Sequence, residues 1–390
     1  MRCLILANVL CIAGAGSGKT HKVVTESIAE IKRGGRVLVV TYTTSNQQEL
    51  RARFIKLYGR SSESFVVKGL FSFYLEDMIR PYQRAVFEKR IEGVFFNDSN
   101  PHLNPKTRRA ILGRQEQLAD KSCNPKHYLT SCETKAHTGF LAKLATRIAT
   151  KTKNAAAIRL SEAYTRVYFD EVQDLVGWDY SVLKSLSKVI KSSITCVGDF
   201  RQTVYETSFG HKAPENAAQK IAEFRALGFI EEPLALNRRS IQPICDIADT
   251  VHQGAYEATK SAADPTPGEF NHHLGAFIVR QSEALDYIAT FNPMVLRWNI
   301  RSGTKFLPPD ARCYNFGSSK GLGFDRVLIL PAASQIDFVL GHPSPFAEGS
   351  ETAQNKMYVA ITRARYSLAF IVPDKLAEGL RFPLWVKTVI

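Results

Sequence analysis

Residues 13–20 read Ala-Gly-Ala-Gly-Ser-Gly-Lys-Thr, and this octet constrains the fold more than any other stretch of the 390-residue chain. It follows an apolar run at 4–12 and leads into residues 22–29, where apolar side chains recur at helical spacing. Strand, glycine-rich turn and helix are the context that a phosphate-binding loop requires. The backbone N–H groups of Gly14, Ala15, Gly16, Ser17 and Gly18, with the positive end of the following helix, would surround phosphate oxygens. Lys19 would reach the terminal phosphates, and the Thr20 hydroxyl would hold Mg²⁺. A merely flexible Gly/Ser turn is the rival reading, but it has no reason to end in Gly-Lys-Thr where a helix begins. Ala13 replaces the first glycine of the general pattern, as some loops of this type accept.

A loop of this kind needs a parallel sheet to carry it. Residues 36–42, 65–67, 167–169 and 194–197 read as buried strands, with helices at 46–57, capped by Ser45 and ended by Gly59, and at 182–190. From about Leu234 the alternation starts again, with helices at 241–251 and 358–364 and strands at 277–279, 295–296, 326–330 and 368–372. The implied fold class is α/β, with each site at the C-terminal ends of the strands. Between the strands at 65–67 and 167–169 lies a basic stretch, 75–166, read as a mostly helical insertion with a turn-rich break at 97–105.

An acidic pair at the end of an apolar strand is the expected complement of a phosphate loop. Asp170 would position Mg²⁺ and Glu171 would take the proton of an attacking water. Charge adds a second partner: of the net +14, the stretch 75–166 holds +8, from seventeen Lys/Arg against nine Asp/Glu. A solvated basic face and a nucleic-acid surface explain this equally well. No apolar run reaches the ~20 residues that span a membrane. Arg2 and the apolar run after it imitate a secretory signal, but cleavage there would cut the phosphate loop. Seven scattered cysteines fit a reducing, cytoplasmic compartment better than a disulfide framework. Cys123, His127, Cys132 and His137 do not have the spacing of a zinc site and read as ordinary residues of the basic stretch.

The string Phe169-Asp170-Glu171-Val172-Gln173-Asp174 resembles the DEAQD signature of the superfamily 1A helicases, the UvrD/Rep/PcrA family. AGAGSGKT is that family's form of the phosphate loop, and VVTYTTSNQQELRAR at 39–53 resembles its motif Ia. CVGDFRQTVY at 196–205, LALNRRS at 234–240, SKGLGFDRVLIL at 319–330 and YVAITRAR at 358–365 resemble motifs III, IV, V and VI, in order. The resemblance implies two RecA-like P-loop domains, at 1–74 with 167–233 and at 234–390, the insertion at 75–166 belonging to the first. It further implies that Gln202 senses the γ-phosphate and that Arg239 and Arg363 reach the phosphates from the second domain, where charge builds up during transfer. Tyr205 matches a residue that stacks on the nucleotide base. Tyr42 matches an aromatic that stacks on DNA, and Thr43, Phe71 and Phe209 join it as nucleic-acid candidates; packing in the core is the weaker rival reading for Tyr42, and Tyr205 either stacks or simply packs.

Departures from the pattern are as informative. No Gln of the kind the family uses to recognise adenine precedes Ala13, so a preference for ATP over other nucleoside triphosphates has no support. Thr207 stands where motif III usually has a second aromatic, and Gly317 and Gly323 replace the usual His and Glu of motif V. About 75 residues separate Ser240 from Gly317, where full-length relatives insert a large subdomain that touches duplex DNA. The implied function is an ATP-dependent, Mg²⁺-requiring DNA helicase or single-strand translocase, moving 3′ to 5′ by family resemblance. Its substrates would be single-stranded DNA or single/double-strand junctions, with a nuclease or repair protein as a possible partner and no membrane. The alternative is a nucleotide-switched regulatory subunit of an antiphage nuclease complex, as in Gabija systems. A small-molecule P-loop kinase would explain the loop but leave residues 170–174 and the paired arginines without a purpose.

Overall fold

The structure, a computed structural model, describes residues 7–97, 99–190, 194–203, 213–303, 307–308, 310–342, 345–346, 351–376 and 381–387. It divides into two compact units. The first comprises Met1–Ile12, Lys19–Gly198 and Tyr205–Glu232; the second comprises Ala13–Gly18, Asp199–Val204 and Pro233–Ile390.

The first unit is built on β1 (Val9–Ala13), β2 (Val37–Thr41), β3 (Phe65–Gly69), β6 (Arg166–Asp170), β7 (Ile194–Gly198) and β8 (Ile230–Leu234), in the order β3-β2-β6-β7-β1-β8. Strands β1, β7, β6, β2 and β3 pair in parallel. Such strands are covered on both faces, so they read as unbroken apolar runs. Every residue of β2 (Val-Leu-Val-Val-Thr) and of β7 (Ile-Thr-Cys-Val-Gly) is buried. Because the strands run the same way, their C-terminal residues Ala13, Thr41, Asp170 and Gly198 fall at one edge of the sheet.

Helix α1 (Lys19–Lys32) follows β1, and α2 (Thr44–Tyr58) follows β2. The N-cap of α2 is Thr43 rather than Ser45: its hydroxyl accepts the Asn46 N–H at 3.1 Å. Gly59 closes the helix in the left-handed region, φ 86°, donating to Ile55 O, as its position predicts. Phe54 stacks on Phe65 at 4.1 Å and anchors α2 to β3.

Within 75–166, helix forms at the beginning, Tyr74–Ile79, and near the end, Leu141–Lys151 and Ala155–Ala163. The middle departs from a helical pattern. It consists of turns, the short parallel pair β4 (Gly93–Phe95) and β5 (Lys135–His137), and a single helical turn at Pro125–Tyr128. Pro101, Pro105, Gly113 and Pro125 interrupt every helical register there. A half-buried polar centre compensates: Glu116 accepts from Arg147 at 2.5 Å and from the Tyr128 hydroxyl at 2.9 Å, and pairs with Lys143 at 2.8 Å.

The second unit carries a five-stranded parallel sheet of β11 (Gly275–Arg280), β12 (Met294–Arg297), β13 (Cys313–Asn315), β14 (Phe324–Leu330) and β15 (Ala364–Val372), ordered β11-β15-β14-β12-β13. A two-stranded pair, β9 (Leu236–Asn237) with β10 (Lys260–Ser261), lies outside it. The core gathers Ile278, Leu296, Val327, Ile329, Leu368 and Phe370 from the sheet with Ile244, Ala248, Met357 and Ile361 from the helices Gln242–Thr250 and Glu351–Ile361. Two parallel sheets with helices give the α/β class that the strand pattern implies. No helix among the described residues is long and apolar enough to cross a membrane.

Candidate nucleotide and nucleic-acid sites

The phosphate loop owes its shape to two glycines. Gly16 and Gly18 take φ of 71° and 83°, which side-chain-bearing residues rarely adopt. Ser17 closes the turn, its N–H and hydroxyl both donating to Gly14 O, at 3.3 and 2.7 Å. Helix α1 then starts at Lys19, so its first N–H groups lack intrahelical acceptors. No acidic residue occupies its first turn, and the positive end of the helix is left for an anion.

In the first unit, Asp170 ends β6 and is 7% exposed. Its Oδ2 accepts from the Thr41 hydroxyl at 3.4 Å, while Oδ1 is buried with no hydrogen-bond partner among the described residues. Burial and then the neighbouring Glu171 raise its pKa, and Lys19 opposes the rise. A carboxylate oxygen withdrawn from water without a donor calls for a cation or a cation-bound water. The donor set therefore fits Mg²⁺. Glu171 follows in the left-handed region, φ 60°, a conformation that sets its side chain apart from the strand's alternation. The Gln173 amide donates to its carboxylate, and Gln173 O in turn accepts from the buried Lys220 ammonium at 2.5 Å. Lys220, on the helix Ala217–Ala226, was not legible from motif spacing.

In the second unit, Gln202 is 4% exposed; its amide donates to Asp199 Oδ2 at 2.7 Å. Its Oε1 faces the Arg363 Nη2 at 3.5 Å. Arg363, 1% exposed, is steered by carbonyls: Nε donates to Val359 O at 2.9 Å, and Nη1 to Leu322 O at 3.0 Å. Arg239 donates through Nη1 to Thr362 O at 3.2 Å, and its backbone N–H is held by Asn237 Oδ1 at 2.7 Å. Thus Gln202 and Arg363 are brought together, and Arg239 is tied to the residue preceding Arg363. Arg201, inside the motif III match but given no role by the sequence, joins this group: its Nε meets Asp199 Oδ1 at 3.1 Å and its Nη1 meets Asp249 Oδ1 at 3.3 Å.

Two of the nucleic-acid candidates meet in the first unit. Tyr42 and Phe71, both half-buried, make an edge contact at 5.8 Å. Phe71 continues to Phe96, also edge-on at 5.8 Å, whose ring is 69% exposed. Phe96 lay hidden in the turn-rich middle of the basic stretch. Thr43 serves as the cap of α2. Tyr205 and Phe209 lie outside the described residues. His127 and His137 are held by Arg114 O and Asn97 Oδ1, at 2.9 and 3.1 Å, and the Cys132 thiol lies between the Thr130 and Thr134 hydroxyls. No group of three or more His, Cys, Asp or Glu among the described residues is arranged to hold a metal.

Residues 2–91 match the UvrD/REP helicase N-terminal domain. Over this stretch the chain is similar to the UvrD-like helicases of superfamily 1. It is also 27% identical over 203 residues to the Gabija protein GajB of Bacillus cereus (strain VD045), a match covering 51% of this chain and 38% of that relative. Among solved structures, the arterivirus nonstructural protein 10 helicase with DNA is similar at 15% identity and a TM-score of 0.44, over 96% of this chain and 63% of that one.

Proposed function

We propose that this UvrD-like chain hydrolyses Mg²⁺–ATP and uses the energy to move along single-stranded DNA. The observation that carries the nucleotide half is the orphaned Asp170 Oδ1 at the edge of the sheet where β1 feeds the phosphate loop. Thr20 and Asp170 would hold Mg²⁺, which when bound neutralises phosphate charge. Lys19 and the loop amides bind the phosphates. Glu171, held by Gln173, accepts the proton of the attacking water. Gln202 orients the reacting groups, and Arg239 and Arg363 stabilise charge developing on the transferred phosphoryl group. The aromatic run Tyr42–Phe71–Phe96, half-buried at its first two rings and exposed at Phe96, supports the nucleic-acid half, because rings of this kind stack on bases without regard to sequence.

The deciding experiment measures ATP hydrolysis with no DNA and with single-stranded, forked or blunt DNA at low salt. Stimulation by single strands supports the motor; its absence refutes it. Glu171→Gln should bind nucleotide and fail to turn it over, and normal turnover would remove Glu171 from its role. The similarity to a Gabija protein favours a second reading, a nucleotide-switched subunit of a nuclease complex. Hydrolysis that appears only when a nuclease co-purifies would select it.

A further inference from the structure

Tyr358 is used by neither half of the proposed mechanism, yet it is 1% exposed and its hydroxyl occupies an unusual place. Its oxygen accepts the N–H of Ala15, a phosphate-loop residue 343 positions away, at 3.1 Å. Its O–H donates to Asp199 Oδ2 at 3.2 Å. The same Asp199 oxygen receives the Gln202 amide at 2.7 Å, and Gln202 Oε1 faces Arg363 at 3.5 Å. A continuous hydrogen-bonded path therefore runs from the loop backbone through one hydroxyl to Gln202 and Arg363, the two side chains to which the proposed mechanism gives roles at the transferred phosphoryl group. All of these groups belong to the second unit.

The surroundings hold that hydroxyl in one orientation. The Arg201 guanidinium lies over the Tyr358 ring, 4.7 Å from its centroid, and over the Tyr256 ring at 4.9 Å. Asp199 Oδ1 is taken by the Arg201 Nε and backbone N–H, at 3.1 and 3.2 Å, which leaves Oδ2 for Tyr358 and Gln202. Burial keeps the phenol protonated, so donation toward the carboxylate is the stable arrangement. His252 packs edge-on against the ring at 5.4 Å and bonds Asn355 at 2.9 Å, and Asn355 reaches Thr203 O at 3.2 Å. A side chain packed and bonded in this way moves with the backbone that it touches.

We infer that Tyr358 is a positioning residue of the nucleotide site: it sets Gln202 and Arg363 according to the position of the phosphate loop, through Asp199. The inference rests on the nucleotide-hydrolysis reading above. Tyr358→Phe keeps the ring and its contacts with Arg201 and His252 and removes only the hydroxyl. The full chain and the variant are compared by calorimetric titration with Mg²⁺–ATP, by steady-state hydrolysis, and by hydrogen exchange of the peptides covering 13–20 and 199–203. The expected result is a fall of about 10-fold or more in kcat, nucleotide affinity within about threefold, and faster exchange in both peptides together, as loss of one oriented hydrogen bond predicts. Exchange that rises in one peptide alone, or a kcat equal to wild type, overturns the positioning role. Equal loss of affinity and kcat overturns it in favour of a structural role. A wild-type protein that neither binds nor hydrolyses Mg²⁺–ATP refutes the underlying nucleotide reading, and the proposal falls with it.

Discussion

Arg201→Met tests how much of the second unit's stability depends on one buried cation. The Arg201 side chain is 5% exposed, with Asp199 at 3.1 Å, itself 1% exposed, and Asp249 at 3.3 Å, 22% exposed. Methionine is unbranched, reaches about as far as Nε and packs against the Tyr256 and Tyr358 rings, so the stem's packing is kept while the guanidinium is removed. What disappears is the charge. Breaking a buried pair by removing one partner costs about 3–5 kcal/mol, because the remaining carboxylate is stranded. Asp199 retains the Arg201 backbone N–H, the Gln202 amide and the Tyr358 hydroxyl, and Asp249 retains the Thr259 N–H and hydroxyl at 2.6 and 2.8 Å. These donors place the cost at the lower end, about 3 kcal/mol. With a urea dependence of about 1–3 kcal/mol per molar, the unfolding midpoint falls by about 1–3 M. Urea titration followed by tryptophan fluorescence reads the shift, and peptide-level hydrogen exchange assigns it to the second unit. Adding Asp249→Asn should recover part of the loss, since it removes a stranded charge. A midpoint within about 0.2 M of wild type would mean that the cluster contributes no more than a surface pair, and the reasoning would be wrong.

Three further outcomes follow from other parts of the chain. Gly16→Ala would place a Cβ 2.6 Å from Asn237 Oδ1 and 2.9 Å from Arg239 Cβ, at φ 71°; Mg²⁺–ATP affinity should fall at least about 10-fold by calorimetry, from backbone strain of about 1–2 kcal/mol and the displaced Asn237. Burial first, and then Lys143 for His127 and Arg114 for His137, push both imidazoles down to about 4. Unfolded imidazoles bind protons below about pH 6.5, so the stability that these neutral side chains support is complete above that pH and is lost as the pH falls toward 4. Denaturation midpoints measured from pH 7 to 4 should show this decline, and His137→Gln should flatten it. Phe96→Ala removes a ring that is 69% exposed, so the fold should be unchanged while single-stranded DNA binds about 5- to 150-fold more weakly, the equivalent of one lost stacking contact of ~1–3 kcal/mol; unchanged binding in an anisotropy titration would exclude the ring from the surface.

Some features are local enough to be read directly from the chain. The phosphate loop is one: two glycines at positive φ, a serine closing onto Gly14 and a helix with no acidic residue in its first turn are all short-range effects. Buried strands are another, because a five-residue apolar run such as Val-Leu-Val-Val-Thr has few places to go except the middle of a parallel sheet. The acidic pair at the end of β6 was legible for the same reason. Elsewhere local chemistry offers equivalent choices. Thr43 and Ser45 can both cap α2, and the strand-to-helix geometry selects Thr43. In the basic stretch, prolines and glycines rule out a continuous helix, but they do not indicate that Glu116 will gather Arg147, Lys143 and Tyr128. Phe96 becomes part of an aromatic run only when that stretch lays it beside Phe71.

Composition, motif order and strand pattern thus suffice for an α/β protein with a nucleotide loop, since each depends on interactions between near neighbours in sequence. The pairing of buried polar groups does not. A tyrosine hydroxyl near the end of the chain meets the Ala15 amide near its start, and Arg201 finds Asp249 and Tyr256. Most buried donors find an acceptor, but which one each finds depends on how the helices and loops pack. Tertiary structure alone made Tyr358 the connection between the phosphate loop and Gln202.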